Sequence, residues 1–226
     1  MTTLAQLADR AQVILDDAAE AVWSQATIEA LAVDAIREYS THFPRRRSTT
    51  ISAVADQNVY ALPADFQSLV SVEYPAGEDP PAYLKRLDYQ DAGFWLSADH
   101  FDIVDLADAS DTAELWLAAD PAGTETIAVY YNADHDASLA SADPLTVAER
   151  HETILILYVI WQAQLILQHN EEQNPTSNSS LLMSQLATNA DRARRNYVQA
   201  LARALYASEG QSARAAWRFD KYDRVY

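Results

Sequence analysis

The chain has 226 residues, no cysteine, and 33 acidic against 16 basic residues, for a formal net charge of -17. Its size permits a hydrophobic core, in one domain or in a domain that carries an insertion. The lack of thiols excludes disulfides and thiolate metal sites, and the negative charge works against non-specific nucleic-acid binding, which phosphate neutralisation drives.

The opening MTTLAQLADRAQ lacks both the basic start and the apolar core of a signal peptide, so a soluble chain made in a cytoplasm is expected. Leu4, Leu7, Ala11, Ile14, Leu15, Ala18 and Val22 recur at helical spacing and predict a first helix over residues 3–22, with Asp9, Asp16, Asp17 and Glu20 on its other face. Ser24 is placed to N-cap a second helix, striped by Ile28, Leu31, Ala32, Ala35, Ile36, Tyr39 and Phe43 and stopped by Pro44.

The period then shortens to two. Arg45-Arg46-Arg47 leads into a strand over Ser48–Val54, a turn at Asp56-Gln57-Asn58, and a short strand over Val59–Leu62 that Pro63 ends. Further strands are predicted at Leu69–Tyr74, Phe101–Leu106, Ala113–Leu117 and Thr126–Asn132. Pro80 and Pro81 set an extended approach to Tyr83-Leu84, and Asp88–Trp95 reads as a short helix.

Helical periodicity returns at Val147 and runs to about Gln173. Within it, Thr153–Leu167 is apolar at every position but Thr153, Gln162 and Gln164. A helix apolar nearly all round is buried. A membrane span needs about 20 apolar residues, and this run is bounded by Arg150-His151-Glu152 and by Gln168–Glu172. It therefore reads as a core helix, or as one packed both in its own subunit and against copies of itself. After a polar connector at Asn174–Ser179, a fourth helix is predicted over Ser180–Ser208. Met183, Leu186, Ala190, Ala193, Tyr197, Leu201 and Ala204 form its apolar face. Arg192, Arg195, Gln199 and Arg203 form a basic stripe, and Gly210 is expected to stop the helix.

The fold expected is α+β: a four-helix bundle built from N- and C-terminal helix pairs, interrupted by an inserted mainly-β domain and followed by an extended tail. The boundaries read as 1–44, 45–145, 146–208 and 209–226. Residues 192–226 hold eight basic and three acidic residues (+5), against 8 basic and 30 acidic in the remainder (-22). Such asymmetry suits an acidic body and a basic end that pairs with another acidic surface, including that of a neighbouring copy. Arg192, Arg195 and Arg203 on one copy and Asp9, Asp16 and Glu20 on the next are the candidate pairing residues.

Catalytic signatures are missing. The four glycines (77, 93, 123 and 210) are too scattered for a phosphate-binding or dinucleotide turn. There is no nucleophile elbow, and the five histidines carry no HExxH spacing. Asp134-His135-Asp136 has the donor types for a metal, but such a triplet is more often a solvated loop. Arg45-Arg46-Arg47 has the charge to contact phosphate, but a solvated turn at a domain junction fits it better. No catalytic residue, cofactor or metal is expected.

The C-terminal segment is more suggestive. Trp217, Phe219, Tyr222 and Tyr226 alternate with Arg214, Arg218, Lys221 and Arg224. Aromatics and arginine are the residue types that anchor interfaces. A docking tail that orders on a partner is the first reading, and a tail folded back on its own domain is the second.

The segment Ile36–Phe66, IREYSTHFPRRRSTTISAVADQNVYALPADF, resembles the head-to-tail adaptor (connector) proteins of tailed bacteriophages. The resemblance rests on the order of several short motifs across about residues 5–205. They are Tyr60-Ala61-Leu62-Pro63-Ala64-Asp65-Phe66, then Val72-Glu73-Tyr74-Pro75, then Ile127–Asn132 with Asp143-Pro144-Leu145 before the apolar helix. In purely local terms, Pro63 ends a strand, Asp65 is placed to cap a turn, and Tyr60 and Phe66 bury rings on either side. The length of the β insertion resembles the branch of the family that carries an inserted β domain.

The resemblance implies a ring of about twelve copies below the portal, in the virion neck, assembled in the host cytoplasm. It implies contacts with the portal protein and a tail or neck protein, and a channel through which DNA passes without specific binding. By position, Arg214–Tyr226 would dock on the portal. The alternative is an acidic monomeric binding module of the DNA-mimic type. An enzyme is a third reading, for which strand-end clusters of polar residues are missing.

Overall fold

The computed structural model describes residues 2–17, 20, 22–104, 113–137, 140–173 and 179–220, with side chains from 182 to 208 in the last segment. Among them are four α-helices and two β-sheets, an α+β architecture. The chain divides into two compact units, one of residues 1–42 and 135–226, the other of residues 43–134.

In the first unit, α1 (Leu4–Ile14) starts in a capping box. The Thr3 hydroxyl accepts from the Gln6 N–H, and the Gln6 side chain accepts from the Thr3 N–H. The helix is shorter than predicted. Asp16 and Glu20 adopt left-handed φ of 58° and 53°. The buried Asp17 carboxylate accepts from the N–H groups of Val22 and Trp23, at 3.1 and 2.6 Å. A short acidic side chain that bonds nearby backbone competes with helical hydrogen bonds. Asp16, Asp17 and Glu20 therefore leave the helix, and of the predicted acidic face only Asp9 lies on α1.

Ser24 accepts from the Thr27 N–H at 3.2 Å and starts α2 (Gln25–His42), as its capping chemistry predicts. Ile28, Ala32, Ala35, Ile36 and Tyr39 are buried on it. A 3-10 turn at Glu149–His151 leads into α3 (Glu152–Gln173), which packs against α1, α2 and α4 (Ser179–Asp220). On α4, Leu186, Ala190, Ala193 and Tyr197 are buried, along the apolar face read from the sequence.

Gly210 does not end α4. An isolated glycine inside a helix costs only about 1 kcal/mol, and the residues after it, rich in alanine and arginine, favour helix. The segment expected to be an extended tail from residue 209 is helical to Asp220. Residues 221–226 lie outside the described residues, as do 105–112 at the end of a predicted strand and 174–178 of the predicted connector.

The second unit pairs β1 (Arg45–Ser52), β7 (Thr126–Ala133) and β3 (Phe66–Glu73) in the order β1-β7-β3. A second sheet has the order β2-β6-β5-β4, formed by β2 (Val59–Ala61), β6 (Glu114–Leu117), β5 (His100–Val104) and β4 (Lys85–Arg86). Both sheets contribute to one core, which includes Tyr60, Val72, Phe101, Leu115, Leu117, Ile127, Val129 and Tyr131. The arginine triplet is not a turn. Arg45, Arg46 and Arg47 open β1, opposite Ala133, Asn132 and Tyr131 of the neighbouring strand. The short helix expected over Asp88–Trp95 is reduced to a 3-10 turn at Phe94–Leu96. The Asp88 and Asp91 side chains instead accept from the N–H groups of Gln90 and Gly93, which closes tight turns ahead of it.

At the Tyr60–Phe66 corner both rings join the core, Tyr60 fully and Phe66 in part. Asp65 does not cap the turn. Its carboxylate pairs with Arg47 and accepts from the Tyr131 hydroxyl at 3.1 Å, tying the corner to β1 and β7.

Candidate interaction surfaces

In the helical unit, Tyr158 and Trp161 of α3 meet Tyr197 of α4. The ring centroids are 5.4 to 5.7 Å apart, and the Arg194 guanidinium lies 6.0 Å above the Trp161 ring. Burial pushes the Tyr197 hydroxyl up to about 12, with Glu38 adding to it, and raises Tyr158 in the same way. Beside this cluster, Leu165 and Val198 keep much of their apolar surface exposed, as does Tyr206. Gln164 Oε1 is buried with no hydrogen-bond partner among the described residues.

Arg192, Arg195 and Arg203 are exposed on α4. Arg195 pairs with Asp191 at 3.1 Å, one turn before it, while Arg192 and Arg203 make no ion pair among the described residues. Asp9 accepts from the Gln25 side chain, and the Glu20 carboxylate accepts from the Gln25 N–H. The aromatic cluster with Arg194 was not singled out from sequence. Its signal was the pairing of Tyr158 and Trp161, three residues apart on one helix, with Tyr197 and Arg194 at the same spacing on another. Of the docking segment, Arg214, Trp217, Arg218 and Phe219 fall on the last turns of α4.

His135, the centre of the candidate metal triplet, is not in a solvated loop. It is buried, its Nδ1 lies 3.0 Å from Thr146 Oγ1, and its N–H donates to Ser40 Oγ. No group of three or more potential metal ligands occurs among the described residues.

The β unit carries a hollow of about 170 Å³ lined by Arg46, Arg47, Val70, Ser71, Tyr83, Tyr130 and Tyr131. The Tyr130 hydroxyl donates at 3.2 Å to the buried Glu73 carboxylate, which also accepts from the Gly77 N–H. That bond to Glu73 is the largest cause raising the Tyr130 pKa. Arg47 is held by Asp65, whereas Arg45 and Arg46 are exposed and make no ion pair among the described residues. The hollow thus holds Tyr130, fixed by the buried Glu73, and two arginines, of which Arg46 makes no ion pair among the described residues.

Both units thus carry exposed surfaces that combine aromatic rings with arginine. A family model described as SU10 adaptor protein matches residues 2–218. The chain belongs to the SU10 adaptor protein family, a family of phage head-tail adaptors, which gives it a structural role in the phage particle. No curated protein matches it. Among the described residues no helix is long and apolar enough to cross a membrane.

Proposed function

We propose that this chain is a neck protein that forms a ring of about twelve copies beneath the portal, surrounds the channel through which DNA leaves the head, and offers the tail or neck protein its attachment surface. The observation that carries this reading is the family match across residues 2–218. In it, the two N-terminal and two C-terminal helices form one four-helix bundle, with the β domain (45–145) inserted between its parts (1–44 and 146–208). The segment 209–226 docks on the portal through Arg214, Trp217, Arg218, Phe219, Lys221, Tyr222, Arg224 and Tyr226.

The acidic body supports a channel that DNA traverses without specific binding, because a wall that repels phosphate does not retain it. The partly uncovered apolar surface on α3 and α4 supports contact with a neighbouring copy, and the exposed Arg192, Arg195 and Arg203 support a meeting with Asp9, Asp16 and Glu20 of that copy. Assembly takes place in the host cytoplasm. An acidic DNA mimic acting as a monomer leaves the basic edge of α4 without a role.

The test is affinity capture of an N-terminally tagged chain from cells producing the particle, followed by electron microscopy. The expected result is co-purification of a ring-forming portal subunit with added density beneath it, lost when residues 211–226 are removed. Recovery of the intact chain without any ring overturns the reading. Full attachment of the truncated chain overturns the docking segment alone.

A further inference from the structure

The β unit carries an apolar knob as well as the arginine-rimmed hollow. In the 3-10 turn at Phe94–Leu96, Phe94 is fully buried and Trp95 packs edge-on against it at 4.8 Å. Leu96 is 85% exposed and Trp95 52%. The turn is anchored on both sides: Asp91 accepts from the Gly93 N–H at 2.7 Å, and His100 Nδ1 lies 3.3 Å from the Phe94 carbonyl oxygen. Burying a leucine stabilises a fold, and this fold instead holds one outward beside a tryptophan on a fixed support. Adjacent large apolar side chains displayed in this way mark an interaction site more often than a lone one does.

Charge and size identify the occupant. Asp88 and Asp91 flank the knob and make no ion pair among the described residues, while the nearby Lys85 and Arg86 are engaged by Asp99 and Asp102. At the hollow the sign is reversed: of its two lining arginines, Arg47 is engaged by Asp65 and Arg46 makes no ion pair among the described residues. The hollow's 170 Å³ compares with about 150 Å³ for an apolar cavity that accepts a benzene ring, so it suits one large side chain. Knob and hollow share no residue. A contact that joins them between two copies is heterologous, and heterologous contacts close into rings when the rotation permits.

We propose that the knob of one copy seats in the hollow of the next, with Leu96 entering beside Val70, Tyr83 and Tyr130 while Asp88 and Asp91 face Arg46. This rests on the ring reading above and identifies one of its lateral contacts.

The chain has no native cysteine, so the contact is testable by cross-linking. A full-length Leu96→Cys/Val70→Cys variant is assembled into particles, oxidised mildly and run on a non-reducing gel. The expected result is a ladder of covalent multimers, absent from either single variant. Arg46→Glu in this background is expected to lower the cross-link yield about tenfold, and adding Asp91→Arg to restore it, as a coupled pair requires. Rings that assemble without intersubunit cross-links overturn the knob-and-hollow contact and leave the ring reading standing. Absence of rings from the unsubstituted chain overturns both. If the double variant does not assemble, electron microscopy of the unsubstituted ring reads the same contact, and Leu96 seated outside the hollow overturns it.

Discussion

In the β unit, Val72, Leu115, Leu117, Ile127 and Val129 have no exposed surface, and two sheets enclose them. In the helical unit, α3 has buried residues on several sides, yet Leu165, Val198 and Tyr206 around it and along α4 keep 36%, 51% and 76% of their surface. The β unit shows most of its exposed large apolar side chains at the knob and the hollow (Trp95, Leu96, Val70 and Tyr83), whereas those on α3 and α4 lie along the helices. Apolar side chains scattered singly over a surface are ordinary. The difference here is that Leu165 directly follows Gln164, whose buried Oε1 has no hydrogen-bond partner among the described residues, and Val198 directly follows Tyr197 of the cation-capped aromatic cluster.

The largest test of this contrast is a pair of truncations. Leu115→Ala opens a cavity in a sealed core, and comparable substitutions cost about 2–5 kcal/mol. Val198→Ala removes methyl groups that are about half in water (Val198 is 51% exposed) and is expected to cost well below the Leu115→Ala loss, about 0.5 kcal/mol. Urea unfolding of both variants measures the gap. Equal losses would mean that the α4 surface is already covered in the free chain, and the contrast would fail.

A smaller effect is expected at Gln164. A buried acceptor without a partner carries a desolvation penalty of roughly 1–3 kcal/mol. Gln164→Leu is therefore expected to stabilise the free chain by about 1 kcal/mol, seen as a higher melting temperature. A loss of stability instead would show that the amide is satisfied in solution, and would remove one of the two features that set α3 apart.

Much of the fold was legible because its signals are local. Ser24 could be read as a cap, the alternation of Thr126–Asn132 as a strand, and the period of Leu186, Ala190, Ala193 and Tyr197 as a buried helix face. The misreadings share a cause, which is that side-chain hydrogen bonds and neighbours decide between local options of similar energy. Asp17 could extend a helix by pattern, yet its carboxylate gains more by accepting two backbone N–H groups. Arg45–Arg47 lack strand propensity, but β7 supplies the ladder. Gly210 carries a stop signal, and its helical neighbours outweigh it. Of the surfaces, the basic stripe was visible in spacing alone. The hollow was not, since it gathers residues from β1, β3, β7 and the segment before β4, which only the sheet order brings together.

The smallest expected effect lies inside the helical unit, where the Tyr39 hydroxyl and His151 Nδ1 are 2.6 Å apart. Burial pushes the Tyr39 hydroxyl up to about 12, so it stays protonated and able to donate. Burial first, and then the nearby Arg150 charge, lower the His151 pKa below its ordinary 6.5. The neutral ring therefore accepts the hydroxyl hydrogen at neutral pH. With the folded pKa depressed, the unfolded chain binds more protons over the interval between the two values, and stability rises with pH there. The contribution of His151 is thus fully present above about pH 6.5, declines as pH falls below that value, and is gone below the folded pKa. His151→Gln removes the titration while keeping a side chain that can accept a hydrogen bond. Thermal melting at pH 7.5 and pH 5.5 is expected to show a smaller acid-induced loss in this variant than in the native chain. An identical loss in both would place the acid sensitivity of the helical unit elsewhere.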